Sequence, residues 1–207
     1  NDIDLSVASI LEFISVGFHA FDRFEKNSSN DKETITVFGN GSLGFIMANV
    51  LKYKLPNSKI VVVGRNLEKL KMFSFVDHVY SSDDIPTDFY TNHAFECAGG
   101  PGSEDAINSI IKYIKPQGSV MLMGVSENKV AINTRDILEK GLTLIGCSRS
   151  GRKDFIEAVK MLENKKIQNR FKTIVFEDDE IKNIDDIHRF FKNDLNTPFK
   201  TVAKWNI

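Results

Sequence analysis

"TVFGNGSLGF", residues 36–45, decides how this chain is read. A β-branched and aromatic run stops at Gly39, and Gly41 and Gly44 follow at offsets of two and five. Between a strand and a helix, each glycine at that spacing has a task. The first permits a tight turn, the second lets the backbone approach a pyrophosphate, and the third lets helix and strand pack closely. The helix that follows offers free N–H groups and the positive end of its dipole to phosphate oxygens. Gly39, Asn40, Gly41, Ser42, Leu43 and Gly44 are the candidate cradle of a dinucleotide, with the Ser42 hydroxyl as an added donor. No Gly-Lys-Ser/Thr follows, so this is not a Walker loop.

Outward from this loop, strands alternate with helices. The pattern predicts strand 34–38, helix 42–54, strand 59–63, helix 66–74 and strands 78–80 and 93–97. Helix 103–114, strand 118–123, helix 134–140 and strand 142–147 continue it. Such alternation gives a parallel sheet with right-handed crossovers, an α/β fold of Rossmann-type doubly wound architecture. "TITVF", "KIVVV" and "SVMLM" are nearly continuous apolar runs, as strands covered on both faces require.

Upstream, residues 5–26 read as a helix that Asp4 or Ser6 can cap, with Val7, Ile10, Leu11, Ile14, Phe18 and Phe21 as its apolar stripe. Downstream of Gly151 the rhythm changes to a helix over 153–165, a strand in "KTIVFE", a helix over 181–193 and a last strand in "FKTVAKWNI". Those closing strands need a partner sheet, and the α/β core is complete without them. The expected division is an interdomain helix segment (1–30), a dinucleotide-binding domain (31–152) and a segment belonging to a second domain (153–207).

The second strand narrows the choice of dinucleotide. NAD-binding forms carry a carboxylate at its end, on the ribose hydroxyls. Here "VVVGRN" places Gly64 and Arg65 at that point. Loss of the carboxylate removes repulsion against a 2′-phosphate, and a guanidinium offers it a planar fork of donors, so NADP(H) is expected. Lys69, a helical turn further, is a second candidate for the same phosphate. Three later strand ends point to the same sheet edge: "ECAGG" with Ala98 and Gly99, "MGVS" with Val125 and Ser126, and "GCSRSGR" with Ser148. Their small residues leave room for a cofactor, and backbone groups at Val125 or Ser148 suit a carboxamide. Arg149 and Arg152 are candidates for an anionic substrate or the cofactor phosphates, and equally read as exposed charges near a helix start.

No catalytic set is complete. The four histidines are scattered without zinc-ligand spacing, and His93, opening an apolar strand, reads as structural. No Tyr-x-x-x-Lys pair has the right spacing. Glu12, Ser15 and His19 make a polar stripe on the first helix, which alone reads as a solvated face. A binding module that holds NADP(H) without chemistry therefore stands beside an enzyme as a reading of the residues.

Bulk properties exclude other classes. The 207 residues carry a formal net charge of −1, which points to neither nucleic acid nor an anionic membrane. No apolar run approaches the roughly 18 residues of a membrane helix. Cys97 and Cys147, each in an apolar run, read as buried free thiols and fit a cytoplasmic location. The chain opens at Asn1 without a methionine, already inside a helix start, and is expected to be the interior of a longer protein.

The order "EFISVGFHA", "VFGNGSLG", "VVVGR", "HAFECAGG", "GSVMLMGVSE", "NTRDILEKGLTLIGCSRSGRKDF" and "FKTVAKW" resembles the cofactor-binding half of zinc-containing medium-chain dehydrogenases. More narrowly, it resembles the ribulose-5-phosphate reductases (ribitol-5-phosphate dehydrogenases) of bacterial teichoic-acid and capsule synthesis. The resemblance implies NADPH-dependent reduction of D-ribulose 5-phosphate, a small ketose phosphate, to D-ribitol 5-phosphate, which feeds CDP-ribitol formation. It implies a catalytic Zn²⁺ acting as Lewis acid. The family's cysteine, histidine and glutamate ligands come from an N-terminal GroES-like domain without counterpart here, and a further glutamate matches Glu12. On this resemblance the chain binds cofactor but is catalytically silent alone. Its segments 1–30 and 153–207 belong with the missing domain, and a homodimer forms through the strand in "LTLIGC".

Overall fold

A computed structural model of the chain describes residues 2–206; Asn1 and Ile207, the outer ends of the expected first and last segments, lie outside them. The helix expected over 5–26 is two, α1 (Leu5–Ala8) and α2 (Leu11–Asn27). Asp4 caps α1 by accepting from the Ser6 N–H at 3.0 Å. The break comes where the Ser9 hydroxyl donates to the Ser6 carbonyl at 2.6 Å, a side-chain bond that competes with helix continuation.

Then follow β1 (Thr34–Phe38), α3 (Ser42–Lys54), β2 (Lys59–Gly64), α4 (Leu67–Leu70), β3 (His78–Ser81) and β4 (His93–Glu96). After them come α5 (Ser103–Tyr113), β5 (Ser119–Leu122), α6 (Thr134–Lys140) and β6 (Thr143–Gly146). The helix expected over 66–74 is a single turn, α4, continued by a 3-10 turn over Lys71–Phe73. All six strands run parallel in the order β3-β2-β1-β4-β5-β6, that of a doubly wound nucleotide-binding sheet.

Alternation along β1 feeds both faces of the sheet. Ile35 and Val37 enter one apolar cluster, and Phe38 enters a second with Val63, Ala94, Val120 and, from α5, Ile110. The first cluster also holds Ile14 and Phe18 of α2 and Phe45 of α3.

The closing segment departs from expectation. Its first helix, α7 (Arg152–Leu162), stops early, and Asn164 starts an unanticipated helix, α8 (Lys165–Lys172), by accepting from the Lys166 N–H at 3.0 Å. The closing strands are β7 (Val175–Glu177) and β8 (Lys200–Val202), with α9 (Ile184–Asn196) between them. They pair with each other in parallel, so they supply their own partner. Ala158, Met161, Leu162, Phe171 and Phe199 share the first apolar cluster with α2 and the sheet. The expected boundaries at 30/31 and 152/153 therefore fall within one continuous core. Among the described residues no helix is long and apolar enough to cross a membrane.

His93 is fully buried, accepts from the Ser119 N–H at Nδ1 (3.0 Å) and stands edge-on to Phe24. Burial, reinforced by the Lys32 charge, lowers its pKa to about 4, which keeps it neutral as a structural residue.

Phe45 ties the parts together. Fully buried, it meets Phe73, Phe75, Phe171 and Phe199 edge-on at 5.2, 5.2, 5.9 and 5.8 Å. Phe45→Ala is expected to cost about 3–5 kcal/mol in urea unfolding, because the cavity opens among rings from the α4 region and from the closing segment. A loss below about 1 kcal/mol would mean the closing segment is not part of the core. His93 sets a pH dependence. An unfolded imidazole, with its pKa at 6.5, takes up a proton that the folded one, at about 4, refuses. The unfolded state then binds more protons within that window, so stability falls as pH drops through it. The urea midpoint of His93→Gln should fall less between pH 7 and pH 5 than that of the parent; an identical fall would exclude His93.

Candidate cofactor site

Strand order reverses between β1 and β4, so the loops after them part and leave a cleft at the C-terminal edge of the sheet. The cleft has a volume of about 290 Å³, and its wall includes Gly39, Gly41, Gly64, Arg65, Asp83 and Asp105.

The three glycines of the loop answer to different constraints. Gly39 has φ +122°, and a Cβ there would stand 2.5 Å from the Cys97 carbonyl carbon. A Cβ on Gly44 would stand 1.9 Å from the Gly39 carbonyl oxygen. Both are demanded by the protein's own backbone. Gly41 is not: its φ is −86°, and a Cβ would meet nothing within 4 Å. What Gly41 keeps clear is the space before α3, where it is the N-cap and no side chain caps the helix. The first-turn N–H groups of Ser42, Leu43 and Gly44 open onto that space, the geometry that suits an anion.

Asn40 behaves differently from its sequence reading. It is buried at the floor of the cleft, and its Nδ2 donates to the Asn66 carbonyl at 2.6 Å, so its carboxamide is committed to the protein while its backbone stays in the loop. Arg65 is exposed on the cleft wall, with one guanidinium nitrogen 2.7 Å from where a Cβ of Gly102 would be. Among the described residues no carboxylate pairs with it. The structure does not bring Lys69 to the cleft. Its ammonium lies over the Phe199 ring at 5.4 Å, in a hollow shared with Phe176 and Pro198. A cation above a π face is a stable alternative partner, and α4, one turn long, directs it there.

Ala98 and Gly99 are placed by a residue that sequence reasoning passed over. Glu96, buried at the end of β4, accepts at Oε1 from the Ala98 and Gly99 N–H groups at 2.9 and 3.0 Å. Its Oε2 accepts from the Gly124 N–H at 2.9 Å, joining the loops after β4 and β5. A carboxylate inside the apolar run "HAFEC" was the available signal, since a buried charge must be hydrogen-bonded. Cys97 beside it has its thiol pushed far up by burial and is a packing group, not a nucleophile. Burial likewise raises Cys147, which is only partly buried.

The Val125 carbonyl accepts from the Gly100 N–H at 2.7 Å, which fixes the loop after β5 against the one after β4. Ser126 lies in a neighbouring hollow with Pro101, Glu104 and Lys129. Ser148 and Arg149 are exposed beyond β6, and Arg149 has φ +67°. Arg152, also exposed, opens α7. That loop is pinned to α2: the Ser15 and Ser150 hydroxyls lie 2.7 Å apart, and His19 faces Asp154 at 3.3 Å. The polar stripe on α2 is thus partly a packing surface and not wholly a solvated face.

Glu12 itself is exposed in the first turn of α2, beside a shallow hollow with Lys200 and Thr201. Among the described residues no group of three or more His, Cys, Asp or Glu side chains could hold a metal ion. A zinc site does not fit these residues by themselves.

Residues 43–164 match the zinc-binding dehydrogenase family, more than half of the chain. The chain belongs to this family. Within it, the chain is 53% identical over 205 residues to the ribulose-5-phosphate reductase of Streptococcus pneumoniae, covering 99% of this chain and 59% of that protein. It is 47% identical to ribulose-5-phosphate reductase 1 of Staphylococcus aureus, covering 99% and 61%. The crystal structure of S. aureus TarJ in complex with NADPH superposes with a TM-score of 0.94 at 46% identity, covering 100% of this chain and 66% of that one. The chain spans about three fifths of the length of the curated relatives it matches.

In this chain the glycines separate fold from ligand. Gly44→Ala should destabilise by roughly 1–3 kcal/mol through backbone collision. Gly41→Ala should leave the melting temperature nearly unchanged and weaken dinucleotide binding at least about tenfold. Calorimetric melting beside a binding titration reads both; a Gly41→Ala protein that binds as the parent does would remove the pyrophosphate from that space.

Proposed function

We propose that this chain is the NADPH-binding portion of a cytoplasmic, zinc-dependent reductase converting D-ribulose 5-phosphate to D-ribitol 5-phosphate, a teichoic-acid precursor. The observation that carries the cofactor choice is Arg65: an unpaired guanidinium on the same cleft wall as the open N-terminus of α3, next to a glycine where an NAD site has its carboxylate. The substrate follows from likeness to proteins named ribulose-5-phosphate reductase.

In this reading each residue has a bounded role. The amides at Ser42–Gly44 hold the pyrophosphate, Arg65 grips the 2′-phosphate, and the bracket made by Glu96 fixes the loops that receive the nicotinamide. The Val125 and Ser148 backbones would hold the nicotinamide carboxamide, and the bound cofactor would supply the hydride for reduction of the carbonyl. Arg149 and Arg152, exposed and without ion pairs among the described residues, attract the substrate phosphate. β6 is an edge strand, and pairing it with a second copy would make the homodimer.

A nicotinamide fluorescence titration is expected to show tighter binding of NADPH than NADH. Arg65→Ala should cost about 1–3 kcal/mol for NADPH and almost nothing for NADH. Equal affinities in the parent would refute the 2′-phosphate contact. With the full-length protein, ribulose 5-phosphate should turn over and ribulose should not; the reverse would refute the substrate.

A further inference from the structure

We propose that Asn40 determines cofactor specificity by occupying the space a carboxylate side chain at position 64 would need. This rests on the NADPH reading above. Gly64 ends β2 with no left-handed backbone, so its conformation does not require glycine; its surroundings do. A Cβ built there would lie 2.2 Å from Asn40 Cγ and 2.6 Å from both Asn40 Cβ and Oδ1.

Asn40 cannot simply swing aside. It is buried, and its carboxamide is held by the Asn66 carbonyl at 2.6 Å. Its chain neighbour Gly39 donates to the Val63 carbonyl at 2.8 Å, which locks the two loops together on either side of the contact. Asn66 in turn caps α4, its Oδ1 accepting from the Lys69 N–H at 3.0 Å. One side chain from the glycine loop thus does two jobs. It excludes every residue larger than glycine at 64, including the aspartate that would favour NADH, and it braces the 64–66 turn from which Arg65 reaches the cleft. Specificity is set from beneath, by a residue whose carboxamide is tied to the protein at the cleft floor.

Even the Cβ of residue 40 is within 2.6 Å of a Cβ at 64, so only glycine at 40 relieves the contact. The test uses the full-length protein as parent, Gly64→Asp, Asn40→Gly and the double variant, each titrated with NADPH and NADH. Gly64→Asp alone is expected to lose NADPH at least about tenfold without gaining NADH, and the double variant to bind NADH at least about tenfold more tightly than Gly64→Asp. A Gly64→Asp protein that binds NADH as well as the double variant overturns the interlock while leaving the NADPH reading intact. A parent without preference for NADPH overturns both. Should Gly64→Asp fail to fold, Gly64→Ala and Asn40→Gly form a double-mutant cycle in melting temperature. Partial restoration of Gly64→Ala by Asn40→Gly supports the interlock, and strict additivity overturns it.

Discussion

The closest approach of backbone to backbone, at Gly39 and Gly44, governs the rest of the molecule. Because α3 begins against the end of β1 with no Cβ between them, its uncapped N-terminus stands directly over the sheet edge. The same proximity drives the next residue, Phe45, into the centre of the core among rings from the 3-10 turn, α8 and the segment before β8. Packing and ligand geometry are therefore one constraint seen from two sides. Gly41, free of any protein demand, marks where the first ends and the second begins.

The electrostatics follow the same economy. Glu96, a buried carboxylate, is satisfied by backbone amides from two loops, so it spends its charge on shaping the crevice. Arg65 spends none of its own on the protein, and its donors are left for an anion. Asp83 and Asp105 line the same cleft. They would repel a phosphate that Arg65 attracts, so the guanidinium must outweigh them for an anion to bind there.

What could be read from sequence divides along physical lines. The six-stranded parallel sheet was legible because strands covered on both faces are continuous apolar runs, and "TITVF" and "KIVVV" admit no other reading. The glycine loop was legible because its spacing is a geometric requirement. The pairing of β7 with β8 was not anticipated, since pairing between short strands flanking a helix leaves no local trace. Helix α8 was hidden because only Glu163 and Asn164, the two caps, separate it from α7. Lys69 was assigned to the ligand from proximity in sequence, whereas Phe199, distant in the chain, holds its ammonium; the Asn66 carbonyl likewise takes the Asn40 carboxamide, a contact the loop spacing does not reveal. Glu12 is an exposed carboxylate that joins no group of three possible metal ligands among the described residues.

A structure of the chain with NADP⁺ bound tests the central claim most directly. The pyrophosphate should lie about 2.7–3.2 Å from amides in the first turn of α3, above Gly41, with the 2′-phosphate against the Arg65 guanidinium. A dinucleotide seated elsewhere, or one whose 2′-phosphate faces solvent while Arg65 points away, would contradict it.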